Sequence, residues 1–387
     1  MNLGRLGPWK ILLPILFLLT SSTAIFGQRA VADTALADLA ASLQPGESAF
    51  LDTAGIDSAF TATGSGASSN THIIWSDEIV WNSVHRKLQF VGGDHYNGIS
   101  GPDDGPHFIE YDEVSNSWTD HGIPPHIVPS TNHGYDHMAV DPETGYFYVR
   151  RVGVGPGNGP VIHYWDGSTW SPIAANNQSA QANEVAVGID FFPELNGIIW
   201  AGIVPGDGLG GLYLWDKTSN SWSTLVTGIP GFPCSHHLAK YNPVHKIVLA
   251  GGGGGGCPQG ESNLLHKVDA QANVSAIAPA PHPLSIQRSV LTSDPVSGDY
   301  LALFTDGSFW AYDALSNLWT QQSSAPPVFT TTSTRLDGIL ASRVDSYGVN
   351  LFVTCKKPAP CRVTIYRHTA RPGGDIPPAA PTALTAE

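Results

Sequence analysis

Charged side chains are scarce in this sequence. Asp, Glu, Lys and Arg together make up 13% of its 387 residues, and the acidic residues outnumber the basic ones 33 to 19. The formal net charge of −14 repels phosphate backbones, which argues against nucleic acid as a partner. Acidic polysaccharides stay open as ligands, because a local basic pocket can oppose the overall field.

The motifs of several enzyme classes are also missing. The stretch "LAGGGGGGCPQG" at 249–260 has six consecutive glycines, yet the Lys-Ser/Thr pair that a phosphate-binding P-loop needs does not follow them. The chain has no Gly-x-Ser-x-Gly nucleophile elbow and no Cys-x2-Cys pair of the kind that holds structural zinc. Nucleotide hydrolysis and α/β-hydrolase chemistry are therefore disfavoured.

The sequence has one long apolar run, and it lies near the N-terminus. Basic residues Arg5 and Lys10 precede "ILLPILFLLTSSTAIFG", a pattern that predicts a secretory signal peptide over residues 1–27. This run is short for a membrane span and is interrupted by Pro14. We expect an exported protein, extracellular or periplasmic, that is monomeric and has no membrane span after signal cleavage.

Four cysteines remain in the exported chain, an even number that suits an oxidising compartment. Proximity along the chain favours the pairs Cys234–Cys257 and Cys355–Cys361. Sequence alone permits three connectivities, so this pairing is a prediction.

A repeat is the strongest signal in the chain. Trp118, Trp170 and Trp222 follow one another at intervals of 52 residues, and Trp319 occupies a similar context further on. An apolar stretch that ends in Asp precedes each unit's last segment, as in "FIEYD", "IHYWD", "LYLWD", "LLHKVD" and "FWAYD". A strand-turn-strand pattern comes before that stretch. Four short strands repeated about every 50 residues predict the blades of a β-propeller.

Six units begin near residues 74, 134, 184, 235, 287 and 335. The last unit has only three strands, and "PGESAFLDTAG" at 45–55 matches the missing fourth strand, with Phe50 at the Trp position. We therefore predict an all-β, six-bladed propeller closed by an N-terminal strand, with seven blades as the alternative. The expected organisation is an N-terminal arm at 31–44, the propeller at 45–370 and a proline-rich tail at 371–387.

Gly92-Gly93, the aromatic residue before Asp in the third strand and the Trp of the fourth strand resemble the kelch repeat of the galactose-oxidase-like group. This resemblance extends over roughly residues 45–370. The double glycine is intact only at 92–93 and in the 251–256 run, so the repeats are degenerate. On this interpretation the six glycines are the kelch-like pair plus a long loop between strands two and three.

The loops between strands two and three, and the links between blades, should emerge on one face of the ring. These segments are long and rich in histidine, and binding sites commonly occupy such loops. The predicted catalytic residues are His95, Tyr96, His133, Tyr135 and His237. The predicted substrate-binding residues are His137, His236, Arg288 and Arg335.

These residue types suit an exported carbohydrate-active propeller whose ligand is a polysaccharide or glycan. The fold and residue types resemble lyases of the ulvan-lyase type, which implies that an Arg neutralises a uronate carboxylate while a His or Tyr removes a proton. A non-catalytic module that binds glycan or protein is the alternative. Copper-radical oxidation requires a Cys beside a Tyr and ranks below both, since all four cysteines look paired.

No cofactor is predicted from these patterns. A calcium ion at the "DDG" of 103–105 and a metal ion at His133-x3-His137 are weaker alternatives, because neither segment has a complete ligand pattern.

Overall fold

The computed structural model describes residues 34–62, 71–93, 105–126, 133–151, 161–175, 186–203, 209–229, 232, 235–254, 260–286, 288–323, 325–328, 336, 338–355 and 360–369. Five of the residues singled out in the sequence lie outside these ranges: His95, Tyr96, Cys234, Cys257 and Arg335. The "DD" of the weak calcium motif lies outside them as well.

The described residues form six antiparallel sheets of four strands. Blade 1 consists of β2 Val80–Asn82, β3 Lys87–Gly92, β4 His107–Asp112 and β5 Ser117–Asp120; blade 2 of β6 Met138–Val140, β7 Phe147–Arg151, β8 Val161–Trp165 and β9 Trp170–Pro172; blade 3 of β10 Gly188–Phe192, β11 Gly197–Ile203, β12 Gly210–Asp216 and β13 Ser221–Ile229. Blade 4 consists of β14 Leu238–Asn242, β15 Ile247–Gly251, β16 Leu265–Asp269 and β17 Val274–Ala276; blade 5 of β18 Ser289–Ser293, β19 Tyr300–Phe304, β20 Phe309–Asp313 and β21 Leu318–Gln321; blade 6 of β22 Ile339–Val344, β23 Val349–Thr354, β24 Arg362–Tyr366 and β1 Ser48–Leu51.

Two helices, α1 Ala35–Ser42 and α2 Ile56–Phe60, flank β1, and short 3-10 turns occupy Pro193–Leu195 and Asp345–Tyr347. Thr34 caps α1, since its hydroxyl accepts the N–H of Ala37 at 3.2 Å. No helix among the described residues is long and apolar enough to cross a membrane.

The ring closes through the first strand of the chain. The strand order of the last sheet is β1-β24-β23-β22, so β1 is the outer strand of blade 6. The innermost strands of neighbouring blades contact one another around the axis, including β2 of blade 1 with β22 of blade 6. The predictions of a six-bladed propeller and of an N-terminal closing strand are confirmed.

The periodic tryptophans join neighbouring blades. Trp118 donates its indole N–H to Thr53 Oγ1 at 3.0 Å, Trp222 to the carbonyl of Ala174 at 2.7 Å, and Trp319 to that of Ala278 at 3.0 Å. Each acceptor follows the outer strand of the preceding blade. Blades 1, 3 and 5 thus bond to the preceding blade in the same way, whereas Trp170 of blade 2 packs against the rings of Phe108 and Trp165.

The Cys355–Cys361 disulfide is present and closes the turn between β23 and β24, as predicted. Both cysteines are buried against the core.

Candidate functional site

The segments that enter the innermost strands pair with one another around the axis. Ser76 forms a parallel bridge with Tyr135, Asp136 with Gly188, and Glu78 with Ala341. These bridges connect blades 1, 2, 3 and 6 through residues just before or within their first strands. Side chains from blades far apart in the sequence therefore meet at the axis.

Five aromatic or imidazole side chains converge where these segments enter the ring. We call Trp75, His133, Tyr135, His137 and His236 the mouth cluster. The ring centroid of Trp75 lies 5.8 Å from that of His133 and 5.4 Å from that of His236. The Tyr135 ring lies 5.3 Å from His133, 5.0 Å from His137 and 6.0 Å from His236. Blades 1, 2 and 4 thus contribute to one cluster.

Three members of the mouth cluster have left-handed backbone conformations: Trp75 with φ 58°, Tyr135 with φ 46° and His236 with φ 65°. Backbone hydrogen bonds hold them there, from Tyr135 N to Trp75 O at 3.0 Å and from His236 N to Ala186 O at 2.8 Å. Bulky residues rarely adopt this conformation, which costs about 1–2 kcal/mol each. Strain of this kind is typical of functional sites, where the surrounding structure fixes the backbone.

Arg150 and His137 form a buried pair next to Tyr135. Arg150 Nη1 donates to His137 Nε2 at 2.9 Å, and the backbone N–H of Val187 donates to the same nitrogen at 3.3 Å. Because Nε2 accepts both bonds, it carries no proton. Burial, and then the positive charge of Arg150, hold the pKa of His137 well below its usual range. The site therefore contains a neutral imidazole next to a permanent cation.

The Tyr135 hydroxyl and the His133 Nδ1 both carry protons. Burial raises the pKa of the Tyr135 phenol despite the opposing charge of Arg150, so this hydroxyl keeps its proton at neutral pH. His133 Nδ1 lies 3.0 Å from the carbonyl oxygen of Gly93. Since a carbonyl can only accept, Nδ1 carries a proton that it donates to Gly93.

His133, Tyr135, His137 and His236, four of the predicted site residues, thus lie together. His237 follows His236 directly but packs against Phe232, with ring centroids 5.1 Å apart. Arg288 Nε donates to Glu261 Oε1 at 2.5 Å at the entrance of blade 5.

Sequence reasoning missed Trp75 and Arg150. Trp75 is not one of the periodic tryptophans, so the repeat gave it no role. Arg150 lies within the apolar strand β7, where its guanidinium also covers the Trp200 ring at 4.7 Å from the centroid. An arginine in a buried strand was a usable signal, since such a charge needs a partner.

Charged side chains from five blades meet along the axis. We call them the axial charge cluster: Asp77, Glu78, Asp136, Asp190, Lys240 and Arg343. The Lys240 ammonium donates to Asp136 and lies 3.1 Å from Glu78 Oε1. Asp190 Oδ2 accepts the N–H of Tyr241 at 2.6 Å. A small cavity of about 40 Å³ lies beside Glu78, Asp190, Lys240 and Arg343.

Burial controls the protonation of this cluster. It raises the pKa of Asp77 to about 8, against the attraction of Lys240, and raises that of Glu78 well above its usual range. Burial alone would lower the pKa of Lys240, but the carboxylates led by Asp136 outweigh it and raise the pKa. The amine therefore stays charged, and the cluster joins the blades electrostatically.

A wider groove of 630 Å³ lies between the outer strands of blades 1 and 2. Its aromatic and imidazole lining consists of Phe108, His121, His126, His163, Trp165 and Trp170, with the hydroxyls of Ser168 and Thr169 at one side.

No protein-family model matches the chain, and no curated protein matches its sequence. Solved structures share its general architecture at low similarity. The SapL1 lectin in complex with alpha methyl fucoside is 15% identical, with TM-score 0.43 over 81% of this chain and 99% of that one. A streptogramin B lyase is 10% identical, with TM-score 0.44 over 79% of this chain and 95% of that one. A fungal alcohol oxidase of the AA5 family in complex with copper is 10% identical, with TM-score 0.42 over 79% of this chain and 77% of that one.

Proposed function

We propose that this protein is an exported carbohydrate-binding propeller of kelch type, whose mouth cluster holds an acidic sugar of a polysaccharide. The observation that carries this proposal is the convergence of Trp75, Tyr135 and His236 on strained backbone, next to the buried Arg150–His137 pair. Aromatic faces with a few convergent polar groups are typical of small-molecule sites.

The cluster has the groups that a uronate needs. Aromatic rings supply large apolar faces, while imidazole and phenol groups exchange hydrogen bonds with hydroxyls. Arg150, buried beside His137, supplies the positive charge that attracts a carboxylate to this cluster. The groove beside Trp165 and Trp170 offers aromatic faces to a second part of a long ligand.

The same groups are suited to β-elimination. His133 Nε2 takes the proton from C5 of the uronate, the C4=C5 double bond forms, and the C4–O4 bond breaks. Tyr135 gives its phenolic proton to the departing O4, which its raised pKa permits because the hydroxyl is protonated at neutral pH. Arg150 compensates the charge that develops on the carboxylate.

Binding and turnover are tested separately. Uronate-containing polysaccharides and matched neutral ones are offered to the protein; binding is measured by calorimetry and elimination by the ultraviolet absorbance of the unsaturated product. We expect tighter binding of the uronate polymers, loss of binding in His236→Ala, and loss of turnover with retained binding in Tyr135→Phe. His282→Ala, in blade 5, is the matched control.

A protein that binds uronates without producing an absorbing product is the non-catalytic alternative. Equal binding of neutral and acidic polymers, or mouth variants that bind like the wild type, would overturn the site itself.

A further inference from the structure

A second group of potential ligands lies in blade 1, outside the mouth cluster. His72, His107 and Asp120 each offer one ligand atom, and these three atoms lie within 4.8 Å of one another. His72 precedes the first strand of blade 1, His107 begins β4 and Asp120 ends β5. Three separate chain segments therefore present donors to one point.

The geometry of this group is compact. His107 Nδ1 lies 2.7 Å from Asp120 Oδ2, and the rings of His72 and His107 stack with centroids 4.2 Å apart. His72 is 1% exposed and His107 is 9% exposed. His107 Nε2 is buried and has no hydrogen-bond partner among the residues that the structure describes. Because Asp120 lies on the Nδ1 side of the ring, Nδ1 is the nitrogen that His107 shares with Asp120 toward an ion.

We propose that His72, His107 and Asp120 bind a divalent transition-metal ion of the zinc class. Two imidazoles and one carboxylate form the kind of donor set that zinc accepts in three-ligand protein sites, with a water molecule as the fourth ligand. Calcium and magnesium prefer oxygen donors only, so this set selects against them. None of the three residues belongs to the mouth cluster.

The position of the site gives the metal a structural role. His72 lies three residues before Trp75, so a bound ion ties the segment that carries Trp75 to β4 and β5. Metal binding then stabilises the folded state, because the unfolded chain lacks a preformed site. Any effect on sugar binding rests on the proposed function of the mouth, whereas the metal site does not.

The test uses untagged, metal-stripped protein and Zn²⁺ as the probe. Calorimetry should show one tight equivalent in the wild type, and zinc should raise the melting temperature. Substituting one ligand, as in His72→Ala or Asp120→Asn, should weaken the tight equivalent by more than the ~10–100-fold that loss of an outer partner costs. Co²⁺ absorbance should report low-symmetry nitrogen and oxygen ligands in the wild type only.

His282→Ala is the matched control, since His282 Nε2 lies 3.3 Å from Asp306 Oδ2 in a simple His–Asp pair. This variant should keep the tight equivalent. His107→Gln preserves side-chain volume and a hydrogen bond to Asp120, so it separates lost ligation from lost folding, which circular dichroism monitors. The proposal is overturned if the wild type binds no zinc at micromolar concentrations, or if folded ligand variants bind it like the wild type. Retained polysaccharide binding without zinc would leave the proposed function intact.

Discussion

Leu51 lies directly opposite Val363 in the closing blade, so the first and last strands of the propeller share one register. Both side chains are buried, whereas the neighbouring Phe50 points outward and is 51% exposed. The two faces of β1 therefore differ in what they contribute to closure.

We predict that Leu51→Ala lowers the free energy of unfolding by about 2–5 kcal/mol, because it removes buried methyl groups at the junction. Phe50→Ala is the matched control, with a loss of no more than about 1 kcal/mol from its contact with the Arg362 guanidinium. Chemical denaturation measures both values. A protein that begins after residue 60 lacks β1 and should lose cooperative unfolding, because β24 is left as an open edge. Equal effects of the two substitutions would contradict this view of closure.

The left-handed backbone at His236 predicts an unusual order of stability among its variants. His236→Gly should be more stable than His236→Ala by about 1 kcal/mol, because glycine adopts positive φ without steric cost. Both variants should lose ligand binding. The adjacent His237, which lacks positive φ, is the control, and there alanine should be the more stable replacement. Thermal unfolding of the Gly and Ala variants at both positions gives the two orders of stability. The same order at His236 and His237 would show that the backbone at His236 is not strained.

Stability should depend on pH through Asp77. Burial raises its pKa from 3.8 to about 8, so the folded protein retains a proton that the unfolded chain releases. The contribution of this group to stability is therefore present below pH 3.8 and is lost as the pH rises to about 8. Asp77→Asn keeps the site neutral and should be about 1–3 kcal/mol more stable than the wild type at pH 8.

Urea denaturation between pH 5 and pH 8 measures this difference, with the exposed Asp38→Asn as the control. Burial also raises the pKa values of Glu78 and Asp190. The free energy of unfolding of Asp77→Asn should therefore still fall as the pH rises, but less steeply than that of the wild type. If the free energy of unfolding of the variant falls with pH as steeply as that of the wild type, Asp77 is ionised in the folded protein.

The Cys234–Cys257 disulfide stays a prediction, since both cysteines lie outside the described residues. Their described neighbours are close, because Gly254 N donates to Ser235 O at 2.8 Å. Peptide mapping without reduction should recover the two cysteines in one linked fragment. Cross-linking should stabilise the fold by roughly 3 kcal/mol through loop-closure entropy. Alkylation of both thiols in native exported protein would rule the bond out.

The fold could be predicted because the propeller repeats its interactions at a fixed interval. The spacing of Trp118, Trp170 and Trp222 marks equivalent strands, and the absence of a fourth strand in the last unit indicated the closing role of the segment around Phe50. A strand pattern that recurs in each blade can be recognised even where one copy is weak, so both the number of blades and the closing strand could be predicted.

The candidate site was only partly predictable. Tyr135 and His236 precede Asp141 and Asn242 by six residues, which identified them as equivalent, but Trp75 precedes Asn82 by seven. That offset of one residue hides Trp75 from an alignment of the repeats. Arg150 reaches His137 because β6 and β7 pair Met138 with Val149, and such register is a tertiary property. His237 differs from His236 because the left-handed backbone at His236 turns the chain between them, which sequence alone does not show.

Closure through β1 also sets an order of events during folding. The strand synthesised first has to await the strand synthesised last, and contacts of such high sequence separation form slowly. Blade 1 completes its hydrogen bonds to blade 6 only in the closed ring, through Ile79 N to Ala341 O at 3.1 Å and Ala341 N to Asp77 O at 2.9 Å. Trp75 belongs to the same segment. In a refolding time course, ligand binding should therefore return after most of the secondary structure has formed, because it requires the closed ring.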